Sequence, residues 1–303
     1  MKPTDVTLYT TRSFRSRFLD LNADTEPLFK PDFEQFFCIR IEDVYRHTHF
    51  PIPPSREDIH SVLLVTRGAF GMHIGTTYQA AGPGDVLVVP AGCVFAIPRV
   101  SDDIAGFTCH FAPDMLTQPY LQAPLPMLLP HSRNLYRLDE QLYDRVRHLM
   151  HTLHTEYSQH GIAHRPLVSH YLTTILLELQ RLHRASVAHE PAAAKTIRKL
   201  QAYLADRDTL AQATLKRMAD YLGITPNHLN KSVKAALGKP ANQLLTELRL
   251  LYAKELLAHS DYPIKQIAIE VGFKEVSYFN RRFRQLEGCT PSAYRRTIWE
   301  RSR

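Results

Sequence analysis

The stretch VGFKEVSYFNRRFRQLEGCTPSAYRR, Val271 to Arg296, alternates aromatic side chains with arginines and has a glycine at each of two breaks. Phe279 and Phe283 lie four residues apart, which places both on one face of a helix. The opposite face carries amide, hydroxyl and guanidinium groups. The pattern therefore indicates an amphipathic helix whose polar face is either solvated or in contact with a partner.

The same pattern occurs once more, about 50 residues upstream. In each copy a short helix with apolar residues at i, i+3, i+4 and i+7 ends at a glycine, Gly223 or Gly272, and a second helix follows. Glycine at these positions supplies the positive φ that a tight turn needs. A helix, a glycine turn and a second helix predict a helix-turn-helix. We therefore expect two such motifs, at about 214–235 and 263–286.

Features around the two motifs support the prediction. Thr225 and Thr290 each precede a proline, which places a capping hydroxyl before a residue suited to the first helical turn. The segment from Pro240 to Ser260 has few helix breakers and predicts one long helix between the motifs. The second turn is one residue longer than the first.

The polar faces of the two second helices match one for one at an offset of 50 residues. Amides, hydroxyls and cations are the groups that bind base edges and phosphates in the major groove of DNA. A face that is polar only because it is solvated does not require such a match. We predict that bases are contacted by Asn227, Asn230, Lys231, Ser277, Asn280 and Arg281. We predict that phosphates are contacted by Lys234, Arg282 and Arg284, and Lys231 could serve either role.

The charge of the chain is unevenly distributed. The net charge is +7 over 303 residues, but residues 191–303 hold 20 Lys and Arg against 10 Asp and Glu. The preceding residues hold 17 against 20 and are slightly acidic. A basic segment of ordinary hydrophobicity is typical of a folded domain that binds a polyanion, although it could also serve solubility alone.

The rest of the chain divides by composition. Short β-rich runs bounded by Gly and Pro occupy roughly the first 130 residues, for example SVLLVTRG and GDVLVVPAGCVFAIP. Two segments with helical spacing, Leu138–Gln159 and Pro166–His183, predict a helical hairpin. The run ASVAHEPAAAK, Ala185–Lys195, is rich in small residues and predicts a linker. The fold class is therefore α+β, with domains at 1–135, 136–188 and 189–303.

Several other classes of protein are disfavoured. No run near 18 apolar residues is present, so no membrane span is expected, and the N-terminus lacks a secretory apolar core. The four cysteines form no CxxC pair, which suits a reducing cytoplasm and argues against a zinc finger. No GxSxG, Walker or GxGxxG motif occurs, so no standard catalytic or nucleotide site is visible.

The stretch LRLLYAKELLAHSDYPIKQIAIEVGFKEVSYFNRRFRQLEGCTPSAYRR, together with the repeated motif before it, resembles the C-terminal signature of AraC/XylS-type bacterial transcription regulators. The resemblance would extend over about Lys195–Arg303. It implies two recognition helices that enter successive major grooves, and it selects the same polar positions at the start of each helix. Val233 departs from the family pattern, in which an aromatic residue is frequent at that position.

The resemblance also implies an N-terminal cupin-like β-barrel sensor followed by dimerisation helices. Gly84, Pro90 and Gly92 fit the second cupin motif, but Phe95 stands where metal-binding cupins have histidine. The first motif is broken. The pair His47 and His49, with Thr48 between them, is followed by the run FPIPPSRED before His60 and the closing glycine, Gly68. We therefore predict an organic effector pocket, if any, near Phe95, His47, His49 and His60, with no metal and no other cofactor.

These observations predict a cytoplasmic, sequence-specific transcription regulator that is not an enzyme. Expected partners are double-stranded DNA, RNA polymerase, a small organic effector and a second copy of the chain, and the regulator is expected to act as an activator. Two alternatives stay open. One is a metal-binding cupin enzyme or metal sensor fused to a DNA-binding domain. The other is a regulator that answers to protein contacts rather than to a small molecule.

Overall fold

The computed structural model describes residues 9–75, 77–116, 125–129, 134–188 and 192–301. The chain divides into two compact units, Leu8–Ala188 and His189–Arg303. Each unit buries its own apolar side chains in separate hydrophobic cores.

The first unit contains two antiparallel sheets. Hydrogen-bonded neighbours run β1-β8-β3-β6-β9 in one sheet and β2-β7-β4-β5 in the other. The described strands are β1 Phe36–Arg40, β2 Ile52–Ser55, β3 His60–Arg67, β4 Phe70–Ile74, β5 Thr77–Ala81, β6 Asp85–Val89, β7 Phe95–Val100, β8 Ala105–Phe111 and β9 Leu135–Arg137.

The described strands of the two sheets are hydrogen-bonded separately, so the cupin-like barrel is not closed among them. Side chains alternate between the faces of the larger sheet. Val62 and Leu64 of β3 belong to the core that includes the helices of this unit, whereas Leu63 and Val65 join the core between the two sheets. The prediction of a β-rich N-terminal half with an apolar interior is confirmed. The sequence did not show that its described strands form two separate sheets instead of a closed barrel.

The predicted helical hairpin is present in the first unit. Helix α1 is Thr11–Phe18, α2 is Ile41–Val44, α3 is Glu140–His160 and α4 is Arg165–Ala188. Asp139 caps α3 by accepting a hydrogen bond from the amide of Leu142 at 2.8 Å. One face of α3 is fully buried against the sheet, with residues at helical spacing: Leu142, Val146, Met150, Leu153 and Tyr157.

Most of the segment predicted as a linker, Ala185–Lys195, is helical. Helix α4 continues to Ala188 and the next helix, α5, begins at Ala192, while residues 189–191 lie outside the described part of the chain. The physical reason is that alanine has the highest helix propensity of the common residues. The small residues at 185–188 and 192–195 therefore extend the two helices.

The described residues of the second unit form helices joined by turns, with no strand among them. Its helices are α5 Ala192–Tyr203, α6 Arg207–Gln212, α7 Leu215–Leu222, α8 Pro226–Leu237, α9 Ala241–His259, α10 Ile264–Glu270, α11 Val276–Glu287 and α12 Pro291–Arg301. Helices α7 and α8 form the first helix-turn-helix, and α10 and α11 form the second. The long helix predicted between the motifs is α9. The two predicted motifs are confirmed.

The turns and caps of both motifs also follow the sequence. Gly223 has φ of 66° and Gly272 has φ of 92°, both in the region that favours glycine. The hydroxyl of Thr225 accepts from the amide of His228, and that of Thr290 accepts from the amide of Ala293, each at 3.2 Å. These bonds satisfy amides that have no partner within their own helices.

Candidate nucleic-acid interface and ligand cavity

Helix α11 is held from beneath by aromatic rings. Phe279 and Phe283 are fully buried, and their ring centroids are 5.7 Å apart. Phe273 lies 5.2 Å from Phe279 on one side, and Tyr294 of α12 lies 5.6 Å from Phe283 on the other. Because these contacts fix the rotation of the helix about its axis, its opposite face points outward.

That outward face carries the predicted positions. Ser277, Asn280, Arg281 and Arg284 are all exposed. The guanidinium of Arg281 lies 5.3 Å from the ring centroid of Tyr278, a cation–π contact that holds a planar donor group near the start of the helix. The geometry offers hydroxyl, amide and guanidinium donors on one surface, as recognition of base edges requires.

Arg282 is placed differently from its neighbours. It is half-buried, one Nη donates to the Oε1 of Gln285 at 2.6 Å, and its Nε is buried without a partner among the described residues. The side chain therefore lies beside the outward face rather than on it. Sequence reasoning treated Arg282 like Arg284, because a pair of adjacent arginines gives no sign of which one is partly covered.

Helix α8 of the first motif is held by aliphatic contacts. Leu229 and Val233 are fully buried and belong to the core that includes α5 and α9. Asn227, Lys231 and Lys234 are exposed, as their equivalents in α11 are. The first motif thus presents one amide and two ammonium groups outward.

Asn230 departs from this arrangement. Its side chain is half-buried, and its Oδ1 accepts a hydrogen bond from the amide of Ala241, the first residue of α9, at 3.0 Å. The amide of Asn230 thereby serves as a cap for the next helix. This corrects the expectation that Asn230 points toward bases in the same way as Asn280.

Asn230 and Asn280 differ because different residues begin the helices that follow them, α9 and α12. At an offset of 50, Pro240 and Ala241 correspond to Thr290 and Pro291. Thr290 supplies its own capping hydroxyl, and Pro291 has no amide hydrogen that needs an acceptor. Pro240 has no capping side chain, so the amide of Ala241 takes its acceptor from Asn230. Asn280 is exposed because the helix that follows it needs no such help.

Helix α6, which precedes the first motif, is attached to α9 by partly buried polar contacts. The guanidinium of Arg249 donates to the carbonyl of Leu210 at 3.2 Å and to those of Ala211 and Ala213 at 2.8 Å. These carbonyls lie at the end of α6, where backbone acceptors lack helical partners. Arg207 of α6 also pairs with the buried carboxylate of Glu255 at 2.8 Å. Together these contacts attach α6 firmly to the central helix.

Gly272, in the turn of the second motif, lies against Ala211 of α6. A Cβ built on Gly272 would lie 2.2 Å from the carbonyl oxygen of Ala211, which no real side chain tolerates. Gly223 in the first motif has nothing within 4 Å of the equivalent position. Gly272 is therefore needed for close backbone approach as well as for its positive φ, a requirement that the repeat pattern did not reveal.

The first unit contains a cavity of about 140 Å³ between its two sheets. Its wall is mostly aliphatic and aromatic, and Phe95 is part of it. Polar groups occur on one side, where Ser61, Thr108 and His110 face the interior from β3 and β8. Apolar cavities with a few polar groups are the usual form of small-molecule sites.

The three histidines predicted to lie near this cavity are not among the residues that line it. His47 and His49 instead contact Asn22 at 3.2 Å and Asp20 at 2.8 Å, and His49 is exposed. His60 accepts a hydrogen bond from the amide of Ala91 at 2.9 Å. Burial lowers the pKa of His60 to about 4, so its ring is neutral at pH 7. The broken HxH motif therefore did not point to the residues that line this cavity.

The polar side of the cavity is a small hydrogen-bonded cluster. His110 Nδ1 lies 2.8 Å from the hydroxyl of Ser61, and its Nε2 lies 2.8 Å from that of Thr108. The His110 ring stacks on Phe37 with a centroid distance of 4.3 Å. Burial lowers the pKa of His110 to about 3, so the imidazole is neutral and uses one nitrogen as donor and the other as acceptor.

Glu57 is the cavity residue that sequence reasoning missed. It lies in the loop between β2 and β3, is 5% exposed and lines the cavity. Burial, with a smaller contribution from the nearby Asp58, raises the pKa of Glu57 to about 8. A single glutamate in a loop has no periodic pattern. Its only sequence signal was its place in the run that interrupts the first cupin motif.

The described residues contain no group of three or more His, Cys, Asp or Glu side chains that could hold a metal ion. They likewise contain no helix long and apolar enough to cross a membrane.

Comparison with known protein families gives two matches. An AraC-like ligand binding domain matches residues 39–179, and a helix-turn-helix domain matches residues 218–297. The first region contains the cavity, and the second contains most of both helix-turn-helix motifs.

Individual relatives agree with these matches. The regulatory protein PocR of Salmonella typhimurium strain LT2 is 34% identical over 125 residues, which are 41% of this chain and only 40% of PocR. The transcriptional activator RhaS of Klebsiella pneumoniae strain 342 is 24% identical over 264 residues, covering 82% of this chain and 91% of RhaS. Among solved structures, ToxT of Vibrio cholerae is 13% identical with a TM-score of 0.42, covering 86% of this chain and 97% of ToxT.

Proposed function

Because this chain belongs to the AraC/XylS-type transcription regulators, we propose that it binds specific DNA sequences through the outward faces of α8 and α11. The observation that carries the proposal is the outward face of α11, with Asn280 and Arg281 exposed above a buried layer of phenylalanines. A rigid helix with amide and guanidinium donors at its start is suited to the major groove.

Within this proposal the residues divide by chemistry. Base edges are contacted by Asn227, Lys231, Ser277, Asn280 and Arg281, and phosphates by Lys234 and Arg284. The hydrogen bond of Asn230 to α9 removes it from the base-contacting set, and its role becomes the orientation of that helix. Arg282 is half-buried beside the interface, and because one of its Nη groups already donates to Gln285, we assign it no phosphate.

The remaining parts of the chain take the roles that the family suggests. The first unit senses an effector through its apolar cavity, α3 and α4 provide a surface for a homodimer, and the second unit binds DNA. The protein acts in the cytoplasm by binding rather than catalysis, and it activates transcription by contact with RNA polymerase. Support comes from the matched ligand-binding and helix-turn-helix regions and from the regulators among its relatives.

The decisive experiment compares two arginines that lie one turn apart on α11. DNA fragments bound by the full-length chain are first selected from random duplexes to define a preferred site. Arg281→Ala should then cost about 1–3 kcal/mol on that site and relax the preference at one or two base pairs. The cause is the loss of a bidentate contact to a base edge. Binding is measured by titration against the preferred duplex and a scrambled duplex.

Arg284→Ala is the matched control. It should weaken binding to both duplexes alike and reduce the slope of log affinity against log salt by about 1, because a phosphate contact releases counterions without reporting sequence. If a folded Arg281→Ala variant keeps full affinity and full discrimination, the outward face of α11 is only a solvated surface. If the wild-type chain binds the preferred and the scrambled duplex with equal affinity, the whole proposal is rejected.

A further inference from the structure

The carboxyl group of Glu57 lies at the cavity wall without a hydrogen-bond or ion-pair partner among the described residues. Buried carboxyl groups are normally hydrogen-bonded or paired, because their transfer from water is costly. Glu57 is only 5% exposed, and its carboxyl group has no partner among the described residues. A ligand in the cavity that it lines would supply one.

Backbone hydrogen bonds on both sides of Glu57 fix the direction in which its side chain leaves the loop. Its carbonyl accepts a hydrogen bond from the amide of Gly92 at 2.7 Å. The flanking residues are tied to Tyr9, whose amide donates to the carbonyl of Arg56 at 2.9 Å and whose carbonyl accepts from Asp58 at 3.3 Å. Asp58 is exposed, whereas Glu57 is directed inward. The loop thus holds one carboxyl group outside and one inside.

The other polar groups of the cavity are already satisfied. Ser61, His110 and Thr108 bond to one another, as described above. The hydroxyl of Thr48 donates to the carbonyl of Val44 at 2.8 Å, and that of Tyr45 donates to the carbonyl of Asp102. Glu57 is therefore the polar group at the described cavity wall that an occupant has to satisfy.

The size and composition of the cavity restrict that occupant further. A cavity of about 150 Å³ lined by aliphatic and aromatic groups holds a molecule the size of benzene, and the cavity here has about 140 Å³. Among the described residues that line it there is no lysine or arginine, so an anionic ligand would be buried without a counterion. A sugar would leave most of its hydroxyls facing apolar walls.

We propose that the effector of this regulator is a small amine with a compact apolar body, whose ammonium group binds the carboxylate of Glu57 inside the cavity. This inference rests on the proposed function, since it assigns a chemical class to the effector. The apolar body fills the space between Phe95, Leu63 and Ile97, and the ammonium supplies the donors and the charge that Glu57 lacks.

The electrostatics of the empty site agree with this assignment. With its pKa near 8, Glu57 holds a proton at pH 7 when the cavity is empty. On binding, that proton passes to a neutral amine, or leaves to water when the amine arrives already protonated, and the product in both cases is a carboxylate–ammonium pair. Neither step needs another reactant.

The test uses the full-length chain and three probes of nearly equal size but different charge: benzylamine, benzyl alcohol and benzoate. Calorimetry at pH 7 without DNA should show benzylamine binding at least about tenfold more tightly than benzyl alcohol, since tenfold corresponds to a single well-made charged contact. Benzoate should not bind. Butylamine and cyclohexylmethylamine extend the amine set to aliphatic bodies.

Glu57→Gln keeps the shape of the side chain and removes its ability to become a carboxylate. It should weaken benzylamine binding at least about tenfold and leave benzyl alcohol unchanged within about threefold. Asp58→Asn is the matched control, because it removes a carboxylate one residue away that faces solvent, and it should bind benzylamine within about threefold of the wild type. Should Glu57→Gln not fold, the ranking of the three probes on the wild-type chain still decides the matter.

The inference is overturned if benzoate or benzyl alcohol binds the wild type as tightly as benzylamine, if none of the three amines binds, or if Glu57→Gln binds benzylamine normally. These results would leave sequence-specific DNA binding untouched. Conversely, amine binding that depends on Glu57 but does not change the affinity for the preferred duplex would support the ligand class and reject an effector role. The two proposals therefore fail in different measurements.

Discussion

The two helix-turn-helix motifs share one register but differ in what supports their second helices. Helix α11 rests on Phe279 and Phe283, whose rings contact further aromatic side chains before and after the helix. Helix α8 rests on Leu229 and Val233 and packs against the additional helix α5. A repeated sequence pattern therefore does not imply the same packing in both copies, because each second helix is stabilised by different neighbouring residues.

The polar faces differ for the same reason. Equivalent asparagines occupy positions 230 and 280, yet only Asn280 is exposed, while Asn230 caps the following helix. The residue that decides between these roles lies ten positions further along the chain, where Pro240 corresponds to Thr290. Function at a repeated position thus depends on a local backbone requirement outside the motif itself.

The largest expected difference between the motifs concerns their cores. Phe283→Ala should cost about 3–5 kcal/mol of folding free energy, because it empties a fully buried aromatic position. Val233→Ala at the equivalent position removes two methyl groups and should cost about 2 kcal/mol. Chemical denaturation of both variants, followed by a helical signal, measures the difference. Equal losses would show that the aromatic cluster gives the second motif no additional support.

The two turn glycines provide the second comparison. Gly272→Ala combines strain at positive φ with a clash against the carbonyl of Ala211, and the sum should be about 2–4 kcal/mol. Gly223→Ala introduces the strain alone and should cost about 1–2 kcal/mol. Thermal unfolding of the two variants under one set of conditions tests this order. A larger loss at Gly223 would contradict the close approach between the second turn and α6.

The smallest effect separates the two asparagines. Asn230→Ala should lower the free energy of unfolding by about 1 kcal/mol through loss of a helix cap, and Asn230→Asp should retain most of it. Asn280→Ala should leave stability unchanged and instead reduce discrimination between the preferred and scrambled duplexes. Unfolding curves and binding titrations on the same preparations reveal which property each variant loses. If both variants lose only discrimination, the cap is not the main role of Asn230.

Much of the second unit could be predicted because its signals are local. Apolar spacing gave α7, α10 and α11, and Thr225, Thr290 and the turn glycines marked their ends. The predictions failed where local sequence patterns favour two structures at once or carry no information about strand pairing. Alanine-rich sequence at 185–195 was taken for a linker although alanine favours helix. Strand alternation predicted β structure but not which edges pair, so closure of the barrel could not be decided.

The site was harder to predict than the fold because it depends on contacts between distant residues. Phe95 was correctly linked to an apolar interior, since it replaces a metal ligand in a recognisable motif. Glu57 and His110 were missed, because their burial arises only when loops and strands from 50 residues apart meet. The role of Asn230 could have been found, since comparing Pro240 and Ala241 with Thr290 and Pro291 exposes the missing cap.

The hydrogen bond from Asn230 to α9 also constrains how the recognition surface is able to diverge. We expect a substitution at Asn280 to alter sequence preference alone, whereas one at Asn230 loosens the start of the helix that joins the two motifs. Descendants of this protein are therefore freer to acquire new DNA targets through their second motif than through their first. A capping residue such as Thr at position 240 would lift the constraint, and we expect it to precede any change at Asn230 along a lineage.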